Sequence, residues 1–325
     1  MNTPRDIYDL AYQYLIVIFA GIPATILYNL LSGYLRSLGN SVIPVIFLII
    51  SAVLNIGLDL LFILTFHMGV FGAAFATVLS QAISGVLCLI YIMKKITLLH
   101  ITRDDLQLSR QYVKNLIIMG FPMGFQYSIT AIGSVILQTA VNSLGSTAVA
   151  SMTAASKISM FVVCPFDALG STMATYSGQN VGAGEFDRVK KGLVSASLLG
   201  SIYAVAIFAV LFFSCNYLIY MFVSPDETEV IRQAHQFLLY NAAFYVPLVF
   251  VNTVRFAIQG MGFSGFAMFA GVAEMIARSL VGLALVPVFG FSAACFASPL
   301  AWIFADSFLI PAFIHCLNKL KRTIS

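Results

Sequence analysis

Between residues 43 and 81 two long apolar runs follow one another, parted only by His67-Met68-Gly69. A segment of this kind has few options. Some twenty consecutive apolar residues are enough to cross a bilayer, and inside it every backbone N–H and C=O must be satisfied within the segment, which leaves a helix. One ionisable side chain, Asp59, stands in the first run, with Asn55 four residues before it; Thr77 stands in the second. Residues four apart share a helix face. A charge facing hydrocarbon is costly, so Asp59 is expected to face a bundle interior or a wet cavity, where intramembrane acids mark ion and proton pathways. The plainer reading is a hydrogen bond that pins two helices.

The pattern recurs along the chain. Runs long enough to span cover about residues 10–35, 41–66, 70–93, 115–144, 151–179, 192–223, 231–261, 266–288 and 292–317. Only 9% of the 325 residues are charged, against about 25% in soluble domains. The expected fold class is therefore an all-α membrane protein of about nine transmembrane helices. Residues 98–112 read as a surface helix, and residues 178–184 as a glycine-rich turn followed by a charged one. Ser224 and Asp226 are the N-cap candidates of the seventh span. Pro23 and Pro247 are expected to bend their helices. The five cysteines (Cys88, Cys164, Cys215, Cys295 and Cys316) sit unpaired in apolar runs and read as small buried hydrophobes. The first nine residues lack the basic region of a cleavable signal peptide.

Basic residues are strongly sided. The connectors after spans one, three, five and nine hold 12 of them, from Arg36 to Arg322, and the opposite side holds Arg5 and Arg232. The positive-inside rule places the C-terminus in the cytoplasm and, with nine spans, Met1 outside.

Spans one to three also resemble spans seven to nine. Pro23 lines up with Pro247, and Gly69-Val70-Phe71-Gly72-Ala73-Ala74-Phe75-Ala76 with Gly290-Phe291-Ser292-Ala293-Ala294-Cys295-Phe296-Ala297. A parallel repeat of two lobes follows, with residues 1–96 as a partial N-lobe of three helices, 97–114 as a cytoplasmic connector, and 115–325 as a C-lobe of six. The expected arrangement lacks three N-terminal helices.

An ordered set of segments then carries a family resemblance: Gly21-Ile22-Pro23-Ala24, Leu35-Arg36-Ser37-Leu38-Gly39-Asn40, Leu54-Asn55-Ile56-Gly57-Leu58-Asp59, Gly69-Val70-Phe71-Gly72-Ala73-Ala74, Gly120-Phe121-Pro122 and Gly178-Gln179-Asn180-Val181-Gly182-Ala183-Gly184. The chain resembles the multidrug and toxic compound extrusion (MATE) transporters, in their prokaryotic form. The resemblance implies helices four to twelve of a twelve-helix, two-lobe fold around a central cavity. It further implies a cation-coupled antiporter that exports organic, often cationic, compounds in exchange for H+ or Na+. The family's N-lobe site joins an Asp on the first helix to an Asn and an Asp on the fifth and a Thr on the sixth. Asn55, Asp59 and Thr77 match the last three; the first-helix Asp has no counterpart here.

Other polar residues inside the runs are weaker candidates. Glu274 and Arg278, four apart, read first as an internal ion pair and second as a C-lobe gating or cation site. Lys157 and Asp167 are candidates to face a cavity, Asp306 is a candidate second carboxylate, and Gln126, Gln138 and Asn142 are candidate cavity-lining amides. Residues 178–184 lack the following Lys-Ser/Thr of a phosphate loop. With no nucleotide motif, metal spacing or catalytic triad, the chain does not read as an enzyme. No cofactor is expected beyond a coupling H+ or Na+, and no metal beyond Na+ at Asp59. The expected partners are small organic cations and the bilayer, without nucleic acid. Two other readings stand beside export: a flippase for lipid-linked saccharides, to which Lys157 and Arg255 lend support, and a non-transporting remnant or a subunit whose partner supplies the missing helices.

Overall fold

The computed structural model describes residues 5–96, 107 and 109–324. Most of the expected surface helix at 98–112, with His100 and Arg103, lies outside these residues, as do Met1 and Pro4. Among the described residues the protein is almost wholly helical, as its apolar runs require. Seven helices among the described residues are long and apolar enough to cross a membrane, and the number of spans reaches nine when each of two bent helix pairs is taken as one. The chain divides into two compact units, Met1–Leu108 and Ser109–Ser325.

The first unit holds α1 (Arg5–Ala20), α2 (Ile22–Ser37), α3 (Val42–Leu60) and α4 (Gly69–Lys95). Helix α4 packs against the other three. Helices α1 and α2 form one span bent by 43°. Gly21 sits at the bend, where a Cβ would come within 2.2 Å of Val78 on α4, so the break doubles as a close approach. Pro23 is the second residue of α2, where its missing N–H costs nothing. Helix α3 buries only Pro44 and Ser51 and shows the rest of its apolar surface outward, as a lipid-facing helix does. It ends in a π-helical turn, Leu61–Thr65.

The second unit holds α5 (Arg110–Asn142), α6 (Ser146–Gly182), α7 (Phe186–Ile219), α8 (Thr228–Ala243), α9 (Tyr245–Gly260), α10 (Ser264–Leu280), the single turn α11 (Val286–Phe289) and α12 (Phe291–Ile324). Its core is aromatic: the fully buried Tyr245 ring lies 5.4 Å from Phe166 and 6.1 Å from Trp302. Helices α8 and α9 form a second bent span, at 54°, with Pro247 in the first turn of α9. Helix α10 runs into a second π-helical turn, Val281–Leu285. The two sets thus share a bent pair, a π-helical turn and a glycine at positive φ before the last helix, Gly69 at 56° and Gly290 at 61°.

Several sequence expectations are corrected. The expected glycine-rich turn at 178–184 is helical as far as Gly182. The turn is confined to Ala183 and Gly184, the latter at φ 76°. The small residues before it pack against α9: a Cβ on Gly178 would lie 3.3 Å from the Gly260 carbonyl oxygen, one on Gly170 2.6 Å from Phe256, and one on Gly260 2.2 Å from the Ala174 carbonyl. Gly170, Ala174 and Gly178 recur every four residues, the spacing by which membrane helices bring their backbones together. The charged stretch that follows is the first turns of α7, not a loop. Helix α5 starts at Arg110, inside the expected connector, and carries Pro122 within it. Apolar runs mark the hydrocarbon, whereas helices continue into the polar interface beyond it. The N-cap of α8 is Glu227, not Ser224 or Asp226, because one further turn forms, from Glu227 N–H to the Ser224 carbonyl at 3.0 Å. Cys164 is exposed on α6, whereas the other four free cysteines are buried.

Candidate functional site

In the first unit, Ser51, Asn55 and Asp59 follow one another at four-residue steps on α3. Ser51 is buried against the protein, and Asn55 and Asp59 are half-buried. Helix α4 is held alongside by Ser84 Oγ, which donates to the Phe47 carbonyl at 3.1 Å. That brings Thr77 opposite Asn55: the Asn55 amide donates to Thr77 Oγ1 at 3.5 Å, and Thr77 Oγ1 donates to the Ala73 carbonyl at 3.1 Å. The first contact is at the outer limit of a hydrogen bond and is weak. One turn further along α3, Asp59 Oδ1 is buried and meets no donor among the described residues. Buried polar atoms of folded proteins nearly always have partners, so an orphan of this kind calls for an explanation. Asn55 donates through Nδ2, which leaves its carbonyl oxygen as a ligand. The three side chains can offer carboxylate, amide and hydroxyl oxygens to one small cation. Among the described residues no group of three or more His, Cys, Asp or Glu gathers as a metal centre.

The second unit answers its intramembrane charges differently. Glu274 on α10 pairs with Arg278 one turn on, at 3.4 Å, and also with Arg255 of α9 through a very short contact. Arg278 donates to the Thr130 carbonyl on α5 at 3.5 Å. Beside them, Gln259 of α9 donates to Gln126 of α5 at 2.8 Å, both amides being buried. Helices α5 and α10 meet closely because glycines stand at the crossing: a Cβ on Gly133 would lie 3.0 Å from Met275 Cα, and one on Gly271 would lie 3.0 Å from Gln126 Cγ. Three helices are therefore tied by one buried polar network.

Of the remaining candidates, Asp167 and Asp306 border this network, each acting on Arg255, whereas Lys157, Gln138 and Asn142 take no part in its hydrogen bonds or ion pairs among the described residues. Asp167 is exposed on α6 and accepts from Asn252 at 3.1 Å. Lys157 is exposed and lines an open cavity of about 750 Å³ with Ser146, Ser224 and Glu227. Asp306 on α12 keeps one carboxylate oxygen buried and unpartnered. Gln138 and Asn142 are hydrogen-bonded to each other at 2.9 Å. Sequence reasoning passed over Asn252 and Gln259. Their spacing around Arg255, three before and four after in an apolar helix, was the available signal.

The MatE family model matches residues 1–61 and 122–286, in both units. The probable multidrug resistance protein YpnP of Bacillus subtilis (strain 168) is 33% identical over 255 residues, covering 78% of this chain and 56% of that protein. The probable multidrug resistance protein YoeA of the same organism is 26% identical over 253 residues, covering 76% and 54% respectively. The chain thus spans about half the length of the curated relatives it matches. Among solved structures, the outward-facing conformation of a multidrug resistance MATE family transporter of the MOP superfamily superposes with a TM-score of 0.90. The two share 21% identity over 99% of this chain and 72% of that one. A MATE crystal structure in complex with MaL6 gives 0.89 at 21% identity, over 99% of this chain and 73% of that one. These likenesses fix the fold, and with the family model matched over both units the chain belongs to the MatE family.

Proposed function

We propose that the protein exports organic cations across the cytoplasmic membrane in exchange for H+ or Na+, and that Asp59 is the carboxylate that carries the exchange. The single observation behind this reading is the buried Asp59 oxygen without a donor, one turn from the Asn55–Thr77 contact. A carboxylate left in that state gains most from whichever cation reaches it, and a bound cation must leave before the site can act again. Competition of this kind between ion and substrate is the physical basis of antiport. The relatives' names as multidrug resistance proteins support the substrate class. The siding of basic residues supports a cytoplasmic C-terminus. The test is efflux of a fluorescent organic cation from energised cells expressing Asp59→Asn. The substitution abolishes gradient-driven efflux at unchanged expression; undiminished efflux would defeat the assignment. Repeating the assay with imposed Na+ and pH gradients separates the two ions.

One observation favours a second reading. The buried arginines of the second unit, Arg255 and Arg278, share one directly paired glutamate, with Asp167 and Asp306 near enough to act on Arg255; arginines freed from that balance suit an anionic substrate such as a lipid-linked saccharide. In that case Arg255→Gln stops translocation of the saccharide, and organic cations are not exported by the unsubstituted protein. Transport that appears only when further helices are co-expressed would identify a subunit dependent on a partner.

A further inference from the structure

On the outer surface of the second unit, α7, α9 and α12 enclose a groove of about 370 Å³. Val194 and Leu198 of α7 form one wall, Phe250 and Val254 of α9 the floor, and Phe313 and Ile314 of α12 the other wall. Along α7 the groove runs from Leu193 to Ser201, about 12 Å of helix. Its two hydroxyls are already engaged. Ser197 Oγ shares a hydrogen bond with Thr253 Oγ1 at 3.2 Å, and Ser201 Oγ donates to the Ser197 carbonyl at 2.7 Å. A polar ligand finds no free hydroxyl donor there, whereas a hydrocarbon chain finds a groove lined by branched and aromatic side chains.

The two walls lead to one charged end. On α7 the stripe Leu198, Val194 continues at the same four-residue step to Lys190. On α12 the stripe Ile310, Ile314 continues to Lys321. Lys321 reaches across to Asp187 in the first turn of α7 at 2.7 Å, which fixes the start of α7 and the end of α12 at the same bilayer edge. Glu185, the other acid at this edge of α7, is paired with Arg188 at 3.7 Å. Lys190 and Lys191 are exposed and take part in no ion pair among the described residues. Long basic side chains at a helix end extend towards the headgroup layer.

We propose that this groove is a binding site for an anionic phospholipid, with one acyl chain between α7 and α12 and the phosphate held by Lys190 and by the ammonium donors that Lys321 keeps beyond its bond to Asp187. The charge at the mouth selects the occupant: a zwitterionic lipid gains less from the lysines, and a cationic amphiphile meets like charge. The site is independent of Asp59 and of the transported compound.

The chain has a single tryptophan, Trp302, in the core. Replacing it in a Trp302→Phe/Leu198→Trp protein moves the only reporter into the groove wall, at a position 61% exposed. The protein is reconstituted in phosphatidylcholine vesicles, and quenching by chain-brominated phosphatidylglycerol is compared with that by chain-brominated phosphatidylcholine. Each lysine near a membrane surface favours the anionic lipid by about fivefold. At least that preference is expected, falling to near unity with Lys190→Gln/Lys321→Gln. Equal quenching by the two lipids, or a preference untouched by the lysine substitutions, overturns the proposal. So does displacement of phosphatidylglycerol by a cationic amphiphile or by glycerol phosphate alone. Native mass spectrometry of the unsubstituted protein repeats the comparison with an intact core: a retained phosphatidylglycerol adduct and no retained phosphatidylcholine adduct support the site, and equal retention overturns it.

Discussion

Glu274 of the second unit and Asp59 of the first stand in apolar helices and are treated in opposite ways, while Asp306 of the second unit, with a buried oxygen unpartnered among the described residues, sides with Asp59. On α10 the acid Glu274 has two arginine partners and is 3% exposed. On α3 the acid Asp59 has a buried oxygen with no partner among the described residues. The backbones around them are alike, since each helix follows a bent pair and runs into a π-helical turn. The difference lies in what the neighbouring helix offers. Helix α9 presents Arg255, Asn252 and Gln259 on one buried face, whereas α4 presents Thr77. One scaffold therefore carries a closed charge network, which stiffens three helices, and an open one, which can change its occupant. An intramembrane acid gives up its mobility when a fixed cation stands beside it.

Five substitutions test how far this contrast goes. The largest effect is expected from Glu274→Gln, which leaves Arg255 and Arg278 buried without an anion; about 3–5 kcal/mol of stability is lost. A sharply lowered melting temperature in detergent is the readout, and near wild-type melting would show that the network is not a lock. Next is Gly260→Ala, whose methyl meets the Ala174 carbonyl; it costs about 1–3 kcal/mol in the same melt. Its counterpart in the loosely packed unit, Gly57→Ala, has open space around the new methyl and raises helix propensity by up to about 1 kcal/mol, so it leaves the melt unchanged or higher. Asp59→Asn removes a charge that has no partner to lose, so it shifts the melt by less than about 1 kcal/mol while abolishing efflux. A large destabilisation there would mean that Asp59 is a structural pin. The smallest effect, measured by denaturant titration, belongs to Thr77→Val: its long 3.5 Å contact with Asn55 is weaker than the roughly 0.6 kcal/mol that interhelical hydrogen bonds in membranes average.

The helices were legible because apolar runs leave a membrane segment little choice. Asn55 and Asp59 were legible as one face because four-residue spacing is local information. Thr77 carries no local signal, and similarity to the family alone marks it. The pairing of Glu274 with Arg278 could be read from spacing, but Arg255 lies 19 residues away, and only the packing of α9 on α10 brings it in. The stretch at 178–184 misled for a physical reason. Its first glycine, Gly178, closes a series of small residues at four-residue steps that packs on α9, and only its last, Gly184 at φ 76°, makes a turn. The two kinds of glycine look the same in sequence, and the presence of α9 opposite marks the first.

Helix α6 has 37 residues, about 55 Å of rod, against roughly 40–45 Å for a bilayer with its headgroups. Such a spar has no dry end. Unless it leans steeply, Ser146 and Gly182 both stand in water on opposite faces, so a probe attached at either end reports on a different compartment. The glycine seam with α9 lies between those two handles. Any thinning of the membrane is met by the spar as a change of tilt, and the seam, which admits no side chain, must follow that tilt as a rigid whole.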